Sequence, residues 1–200
     1  MFNFAENSSY MNIGVFCSAN KNVDQSYFSA TKELGMWIGK SGHSLVWGGC
    51  RLGLMETIAD SFREGASSIA ECGRGKLIGV IPEIIEERGK SFSPVDQAVY
   101  CNNLSERKEI MINLSDVMVA LPGGIGTLDE IFTVVSSATI GYTDKKIILY
   151  NISGFWNPLI SLMDHLESQG MIRGDYRQRI LVAETPEELS SMFRLLPARS

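Results

Sequence analysis

The chain has 200 residues, of which 44% are hydrophobic and 20% are charged, and its formal net charge is −5. This length predicts one α/β domain with a sizeable core, and the acidic balance disfavours a nucleic-acid surface, which needs clustered Lys and Arg. No apolar run approaches the ~20 residues that span a bilayer, and residues 1–10 do not resemble a signal peptide. We therefore expect a cytoplasmic protein that binds neither nucleic acid nor a membrane.

Short apolar runs alternate with longer amphipathic stretches along the chain. The first half predicts, in order, a strand at 11–17, a helix at 24–40, a strand at 44–47, a helix at 52–64 that Gly65 stops, a strand at 76–81, an irregular polar connection at 83–93 and a strand at 97–101. The second half predicts a helix at 104–115, a strand at 116–121, a helix at 128–140, a strand at 146–150, a helix at 155–169, a strand at 180–183 and a terminal helix that Pro186 opens.

The predicted strands are apolar throughout rather than alternating, which is typical of a parallel sheet covered by helices on both faces. The sequence therefore predicts a single doubly wound, Rossmann-like α/β domain over residues 11–197, after an N-terminal extension at residues 1–10. Ligands of such sheets bind beyond the carboxyl ends of the strands. We therefore look for a site in the turns that follow the strands.

Three such turns are candidates for a ligand site. The first, at residues 17–20, contains Ser18, and the second, at residues 48–53, begins with Gly48 and Gly49. The third, at residues 121–127, is the most specific. The side chains and backbone of these turns would meet a ligand at one edge of the sheet.

The third turn contains three glycines within four positions, followed by a threonine. The backbone amides of Gly123, Gly124, Ile125 and Gly126, at the start of a helix, would cradle a phosphate. The Thr127 hydroxyl could add a further donor. The alternative is a tight turn and an ordinary helix cap, because residues 127–130 also fit a capping box.

Two common nucleotide motifs do not fit this chain. No Lys follows the last glycine of the third turn, as a Walker A loop requires. The dinucleotide fingerprint belongs after the first strand, where the sequence instead reads Cys17-Ser18-Ala19-Asn20. NAD binding is therefore disfavoured.

Charged residues near the third turn are candidates for chemistry. Arg107 shares one face of its predicted helix with apolar residues, which is costly unless the guanidinium meets an anion or its stem packs there while the head reaches solvent. Lys108 could face the same anion or be a solvated surface charge. Glu130, in the first turn of the next helix, complements the helix dipole, and it also lies close to whatever a bound phosphate carries.

Metal and redox sites are not indicated. The four cysteines are far apart in the sequence without a Cys-x-x-Cys pair, and the two histidines are isolated. A structural zinc site and a redox dithiol are therefore disfavoured. We predict buried thiols at Cys17 and Cys101, and no cofactor.

The motifs at Arg107-Lys108, Ser115-Asp116 and residues 122–130 resemble the LOG family of cytokinin riboside 5'-monophosphate phosphoribohydrolases, long mislabelled lysine decarboxylases. The resemblance extends over roughly residues 13–195. It implies a Rossmann-like homodimer without a metal or redox cofactor, with Arg107 and Glu130 as the catalytic pair. It also implies that residues 124–127 hold the 5'-phosphate and that Ser136 contacts the substrate.

Several positions depart from the family pattern. The first turn usually reads Cys-Gly-Ser-Ser, and glycines usually stand where this chain has Cys50 and Glu56. Residues 136–141 also differ from the usual Thr-Trp-Ala-Gln-Leu-Gly, and an insertion lies near residues 71–75. A family carboxylate in the loop after the third strand has no sure match, although Glu86 and Glu87 are candidates. These changes leave the phosphate motif intact and alter the predicted base pocket.

The function we infer from the sequence is hydrolysis of the N-glycosidic bond of a purine nucleoside 5'-monophosphate, AMP or a relative with a modified base. The alternative is a carrier of a nucleotide or of molybdenum cofactor, a phosphorylated pterin, which proteins of this fold bind without hydrolysing it. Lysine decarboxylation is disfavoured, because it normally needs pyridoxal phosphate on a lysine and no lysine follows a suitable turn.

Overall fold

The computed structural model describes residues 10–195, which form an alternating series of strands and helices. The strands are β1 (Asn12–Phe16), β2 (Ser44–Trp47), β3 (Leu77–Pro82), β4 (Gln97–Cys101), β5 (Val117–Ala120), β6 (Ile147–Tyr150) and β7 (Ile180–Ala183). The α-helices are α1 (Gln25–Lys40), α2 (Gly53–Ala66), α3 (Glu83–Glu87), α4 (Leu104–Leu114), α5 (Ile125–Thr139), α6 (Asn157–Ser168) and α7 (Pro186–Leu195). Short 3₁₀ turns lie at Glu71–Gly73, Ile152–Gly154 and Tyr176–Gln178.

The strands form one parallel sheet in the order β4-β3-β2-β1-β5-β6-β7. At its centre, Val15 of β1 pairs with Trp47 of β2 on one side and with Val119 of β5 on the other. The central strands are almost wholly buried, as continuous apolar runs require. The predicted doubly wound fold is confirmed.

Helices cover both faces of the sheet. One face buries apolar side chains of α1, α2 and α7, among them Leu34, Ile58 and Leu189. The other face buries side chains of α4, α5 and α6, among them Met111, Ile131 and Leu159. Burial of this apolar area from water is the main favourable contribution to folding.

The chain changes direction across the sheet at β1. From β1 it moves outward through β2 and β3 to β4, and it then returns to β5 on the other side of β1. The helix after β1 covers one face and the helix after β5 covers the other. Neighbouring strands whose helices diverge in this way leave a crevice at their carboxyl ends.

Three local predictions are wrong. Helix α2 runs through Gly65 to Ala66, because Gly65 serves close helix packing: a Cβ there would lie 2.3 Å from the Met36 carbonyl oxygen of α1. The segment after β3, predicted to be irregular, begins with α3. Helix α5 begins at Ile125 rather than at Leu128.

Some predictions fall partly outside the description. Residues 1–9 of the N-terminal extension, and residues 196 and 197 at the end of the predicted domain, lie outside the described residues. Within residues 10–195, no helix combines the length and apolar character that crossing a bilayer demands.

Candidate functional site

The turn between β5 and α5, residues 121–127, ends at the amino terminus of a long helix. Gly124 is the N-cap of α5 and makes no side-chain cap. The first intrahelical bond runs from the Leu128 N–H to the Gly124 carbonyl, at 3.0 Å. The amides of Ile125, Gly126 and Thr127 therefore have no acceptor within the helix. The capping-box alternative is wrong, because Thr127 lies inside the helix and is not its N-cap.

The glycines of this β5–α5 turn differ in what surrounds them. A Cβ on Gly123 would lie 2.1 Å from Oγ1 of Thr127, whose side chain is buried against it. A Cβ on Gly124 or Gly126 would meet no atom within 4 Å. The Ile125 side chain, 83% exposed, points away from the core. The helix amino end is therefore open to a ligand at Gly124 and Gly126.

Arg107 of α4 and Glu130 of α5 form a buried ion pair. Arg107 Nη2 lies 3.6 Å from Glu130 Oε1, and the two side chains are 11% and 7% exposed. The Nε of Arg107 is buried without a hydrogen-bond partner among residues 10–195. Helix α4, which carries Arg107, is fixed at its start by Asn103, whose side chain accepts from the Glu106 N–H at 2.9 Å. The pair joins two helices over the crevice.

The turn between β2 and α2, residues 48–53, makes room for this guanidinium. A Cβ on Gly48 would lie 1.6 Å from Arg107 Nη2. Gly49 and Gly53 adopt φ of +68° and +56°, in the left-handed region that favours glycine. The predicted candidate Gly48 thus lies beside Arg107, and Gly49 follows it at the carboxyl end of β2, against Ile81.

Burial dominates the electrostatics of Glu130. Burial raises the pKa of this carboxyl to about 7, although the Arg107 guanidinium lowers it. Two weaker charges oppose each other, because Asp129 raises this pKa and Lys108 lowers it. At neutral pH the carboxyl therefore exists in both protonation states. Such a group can give or take a proton near physiological pH.

The thiols near the ion pair are inert. Burial raises the pKa of Cys17 and of Cys50, and the Arg107 guanidinium lowers both by a smaller amount. Protonated thiols in apolar surroundings are poor nucleophiles and poor metal ligands. Residues 10–195 contain no group of three His, Cys, Asp or Glu side chains arranged to hold a metal ion.

Ser18 connects the turns through its backbone. Its N–H donates to the Pro122 carbonyl at 3.2 Å, and its carbonyl accepts from the Leu54 N–H at 3.0 Å. Its hydroxyl accepts from the Asn20 N–H at 3.0 Å. The structure therefore brings Ser18 to the same edge of the sheet as the two glycine turns.

Of the remaining predicted site residues, Lys108 forms a salt bridge with Asp129 and Ser136 lies away from the crevice. Lys108 Nζ donates to both carboxylate oxygens of Asp129 at 2.7 Å, which ties α4 to α5 a second time beside the buried pair. Ser136 lies further along α5, about 120° around the helix from Glu130. It lines an apolar groove of about 610 Å³ between α5 and α6, with Phe132 and Ile140. The structure does not bring Ser136 to the crevice.

Residues 88–92, which we call the strap, lie beside the β2–α2 turn and were missed by sequence reasoning. Ser91 forms an isolated antiparallel bridge with Cys50. Phe92 is 5% exposed and packs edge-on against Trp47, with ring centroids 5.8 Å apart. Phe92 was the available signal, because a large apolar residue in an otherwise polar segment indicates an anchored loop.

The carboxylates proposed for this loop, Glu86 and Glu87, are exposed on α3. The Glu86 carbonyl accepts from the Gly89 N–H at 2.8 Å, which ends the helix and begins the strap. Neither side chain belongs to the buried cluster around Arg107. Their suggested match to a family carboxylate stays a prediction.

Comparisons with known proteins agree with this arrangement. The family model described as "Possible lysine decarboxylase" matches residues 55–193. A cytokinin riboside 5'-monophosphate phosphoribohydrolase of Oryza sativa subsp. japonica, named LOG, is 35% identical over 91% of this chain and 72% of its own length. One from Rhodococcoides fascians is 30% identical over 91% of this chain and 88% of its own length.

Solved structures show the same fold. The molybdenum cofactor carrier protein of Chlamydomonas reinhardtii superposes with a TM-score of 0.66, covering 94% of this chain and 98% of its own. Its sequence identity is 22%, so the similarity extends to the fold alone.

Proposed function

The chain belongs to the LOG family, and from that premise we propose that it hydrolyses the N-glycosidic bond of purine nucleoside 5'-monophosphates. The products would be the free base and ribose 5-phosphate. The observation that carries this proposal is the buried Arg107–Glu130 pair, 3.6 Å apart, beside an open helix amino end. The names of the relatives from rice and from Rhodococcoides fascians support the same reaction class.

The helix amino end is the proposed site of the 5'-phosphate. The free amides of Ile125, Gly126 and Thr127, together with the positive end of the helix dipole, are suited to an anion. Binding energy from this group, which does not react, would hold the ribose in place for the bond that does.

The buried carboxyl is the proposed group that acts on the ribose. Water adds its hydroxyl to C1', the C1'–N9 bond breaks with its electron pair going to the base, and the remaining proton of the water ends on the base. Positive charge develops on the ribose as the bond breaks. The Glu130 carboxylate, in a dry environment, would stabilise that charge and orient the water or the ribose hydroxyls.

The Arg107 guanidinium is the proposed partner in this step. Its contact with Glu130 holds the carboxyl in one place, and its unpartnered Nε leaves a donor for an anionic or carbonyl group of the ligand. The proposed reaction is a hydrolysis, and it uses water as its only second reactant. We propose no metal or redox cofactor.

Base release from AMP and GMP by the purified chain tests the proposal. Glu130→Gln and Arg107→Ala should each lower kcat/KM by about a thousandfold, since each removes charge that the transition state needs. The exposed Glu109 of α4 offers a matched control, and Glu109→Gln should retain wild-type rates.

Two results would contradict the proposal. Wild-type rates in either variant would remove the buried pair from the reaction. No base from any purine nucleotide, with a pterin co-purifying, would instead favour the carrier of molybdenum cofactor.

We also propose a homodimer through the outer face of α5. Phe132 and Ile140 are 38% and 66% exposed there, and Met171 beside them is 74% exposed. An apolar groove of this kind is suited to a protein interface, and it contains Ser136. Light scattering should give twice the chain mass for the wild type and a monomer for Phe132→Glu. A monomeric wild type would overturn this assignment.

A further inference from the structure

The strap is fixed to the carboxyl end of β2 by main-chain hydrogen bonds. The Phe92 N–H donates to the Gly49 carbonyl, and the Arg51 N–H donates to the Lys90 carbonyl, each at 2.8 Å. The Lys90 N–H in turn donates to the Ile85 carbonyl of α3 at 3.1 Å. The backbone at Lys90 is thus held on both sides, and its side chain is exposed.

Lys90 is exposed on the strap, next to the β2–α2 turn that makes room for the Arg107 guanidinium. Burial raises the pKa of the Cys50 thiol, while the Arg107 guanidinium and the Lys90 ammonium both lower it. The neighbouring Arg51 is paired with Glu56, at 3.2 Å. Within residues 10–195, Lys90 forms no salt bridge.

Strand spacing indicates where the base of a nucleotide would lie. The phosphate would bind after β5, and the guanidinium of Arg107 lies over Gly48, after β2. These strands are separated by β1 alone, so their ends are about 10 Å apart. A nucleoside monophosphate carries its phosphate and its base at opposite ends of the ribose. With the ribose at Glu130, whose partner Arg107 lies over Gly48, the base would extend toward β2 and the strap.

We propose that Lys90 recognises the base and selects 6-oxopurine nucleotides, such as GMP and IMP, over AMP. This inference rests on the proposed function, because it assumes the same placement of phosphate and ribose. Lys90 would act as a substrate-binding residue and not as part of the reacting pair. Its ammonium would reach O6 and N7 from the strap.

Hydrogen-bonding chemistry gives the direction of this preference. An ammonium can only donate hydrogen bonds. Guanine and hypoxanthine present two acceptors on this edge, N7 and O6, whereas adenine presents the acceptor N7 next to its N6 amino donor. A donor facing a donor leaves both unpaired, which costs binding. Lys90 therefore fits the 6-oxopurine edge.

A carboxylate on the same side would favour the opposite base. Glu83 is the first residue of α3 and directly follows β3, which lies one strand beyond β2 on the side away from β5. The Lys90 carbonyl instead accepts from the Arg51 N–H, directly after β2. Glu83 therefore lies further than Lys90 from the path of the nucleotide.

The test compares kcat/KM for base release from AMP, GMP and IMP by the wild type, Lys90→Met, Glu83→Gln and a control. Lys76→Met is the control. Lys76 is also an exposed lysine, but it precedes β3 and therefore lies at the amino ends of the strands, opposite the candidate site. The wild type and the control should prefer GMP and IMP about tenfold. Lys90→Met should lose that preference, because kcat/KM for GMP and IMP should fall about tenfold further than kcat/KM for AMP.

Three results would overturn the assignment. These are a wild-type preference for AMP that Glu83→Gln abolishes, an equal loss on all three nucleotides in Lys90→Met, and an unchanged preference in that variant. The same ratio is measured by calorimetric binding of GMP and AMP to Glu130→Gln protein. If no nucleotide is hydrolysed, the proposed function fails, and the binding ratio still decides whether Lys90 reads the base.

Discussion

The β2–α2 turn and the β5–α5 turn are both rich in glycine, but the fold requires all three glycines of the first turn and only Gly123 of the second. In the β2–α2 turn, Gly48 makes room for Arg107, and Gly53 adopts a left-handed conformation against Ala19. In the β5–α5 turn, Gly124 and Gly126 have negative φ or helical geometry and face open space. The difference separates glycines that the packing needs from glycines that a ligand would need.

The largest effect expected from this comparison is on stability. Gly53→Ala places a Cβ 2.6 Å from backbone atoms at Ala19, at a φ of +56°. Left-handed strain costs about 1–2 kcal/mol and overpacking about 1–3 kcal/mol. We expect urea unfolding to show a loss of about 3–4 kcal/mol.

Gly141→Ala is the matched control for that variant. Gly141 has a φ of +82° with no atom within 4 Å of a Cβ. It should lose only the strain, about 1–2 kcal/mol. Equal losses in the two variants would show that the packing against Ala19 contributes nothing.

The next effect concerns Glu130, which follows the β5–α5 turn. Its pKa in the folded protein is raised from 4.5 to about 7. The folded state therefore holds this proton more tightly than the unfolded state does. Its stabilising contribution is complete below pH 4.5 and is lost as the pH rises through 7, a change of about 3 kcal/mol.

Unfolding of the wild type and of Glu130→Gln at pH 4.5 to 8 measures this contribution. The variant, which cannot ionise, should lack that slope. Activity should change in the opposite direction, rising as the carboxylate forms. Identical pH slopes in the two proteins would contradict the shift.

Gly48→Ala should act on activity rather than on stability. Its methyl group would occupy the space of Arg107 Nη2 and displace the guanidinium from Glu130. Displacement by about 1 Å can cost a hundredfold in rate, and we expect kcat/KM for base release to fall by about that factor. Gly79→Ala, whose Cβ would meet Trp47 at an ordinary 3.4 Å, is the control. Unaltered rates in Gly48→Ala would show that the β2–α2 turn does not position Arg107 for the reaction.

The smallest effect should come from Gly124→Ala. A Cβ there meets no atom within 4 Å, so the unfolding free energy should change by less than about 0.5 kcal/mol. Phosphate-dependent binding should weaken about tenfold, because the methyl group would stand where the anion approaches. Calorimetric titration with AMP, in protein that also carries the hydrolysis-deficient change Glu130→Gln, measures this affinity. A loss of stability with unchanged affinity would show that Gly124 is needed for packing and not for a ligand.

Much of this organisation could be predicted from the sequence because it is local. Apolar runs such as the one at β1 identify the strands, and the glycines after β5 identify the turn that we propose as the ligand site. Arg107 and Glu130 could be singled out individually by an apolar helix face and a helix amino end. Their contact depends on how α4 and α5 cross the sheet, which no local pattern encodes.

The errors have the same origin. Gly65 reads locally as a helix stop, yet packing against α1 keeps the helix intact. The strap was missed because its bridge to Cys50 joins residues far apart in the chain. Ser136 was assigned by resemblance and lies on the outer face of α5, so its predicted contact with substrate is not explained within one chain and stays a prediction.

The reversal of the chain at β1 has a consequence for how such proteins diversify. Because α1 and α5 leave neighbouring strands on opposite faces, the crevice at the carboxyl ends of β1 and β5 follows from the chain topology and does not depend on which ligand binds there. Substitutions at a few positions in the turns around this crevice can therefore change ligand specificity during evolution while the fold stays the same.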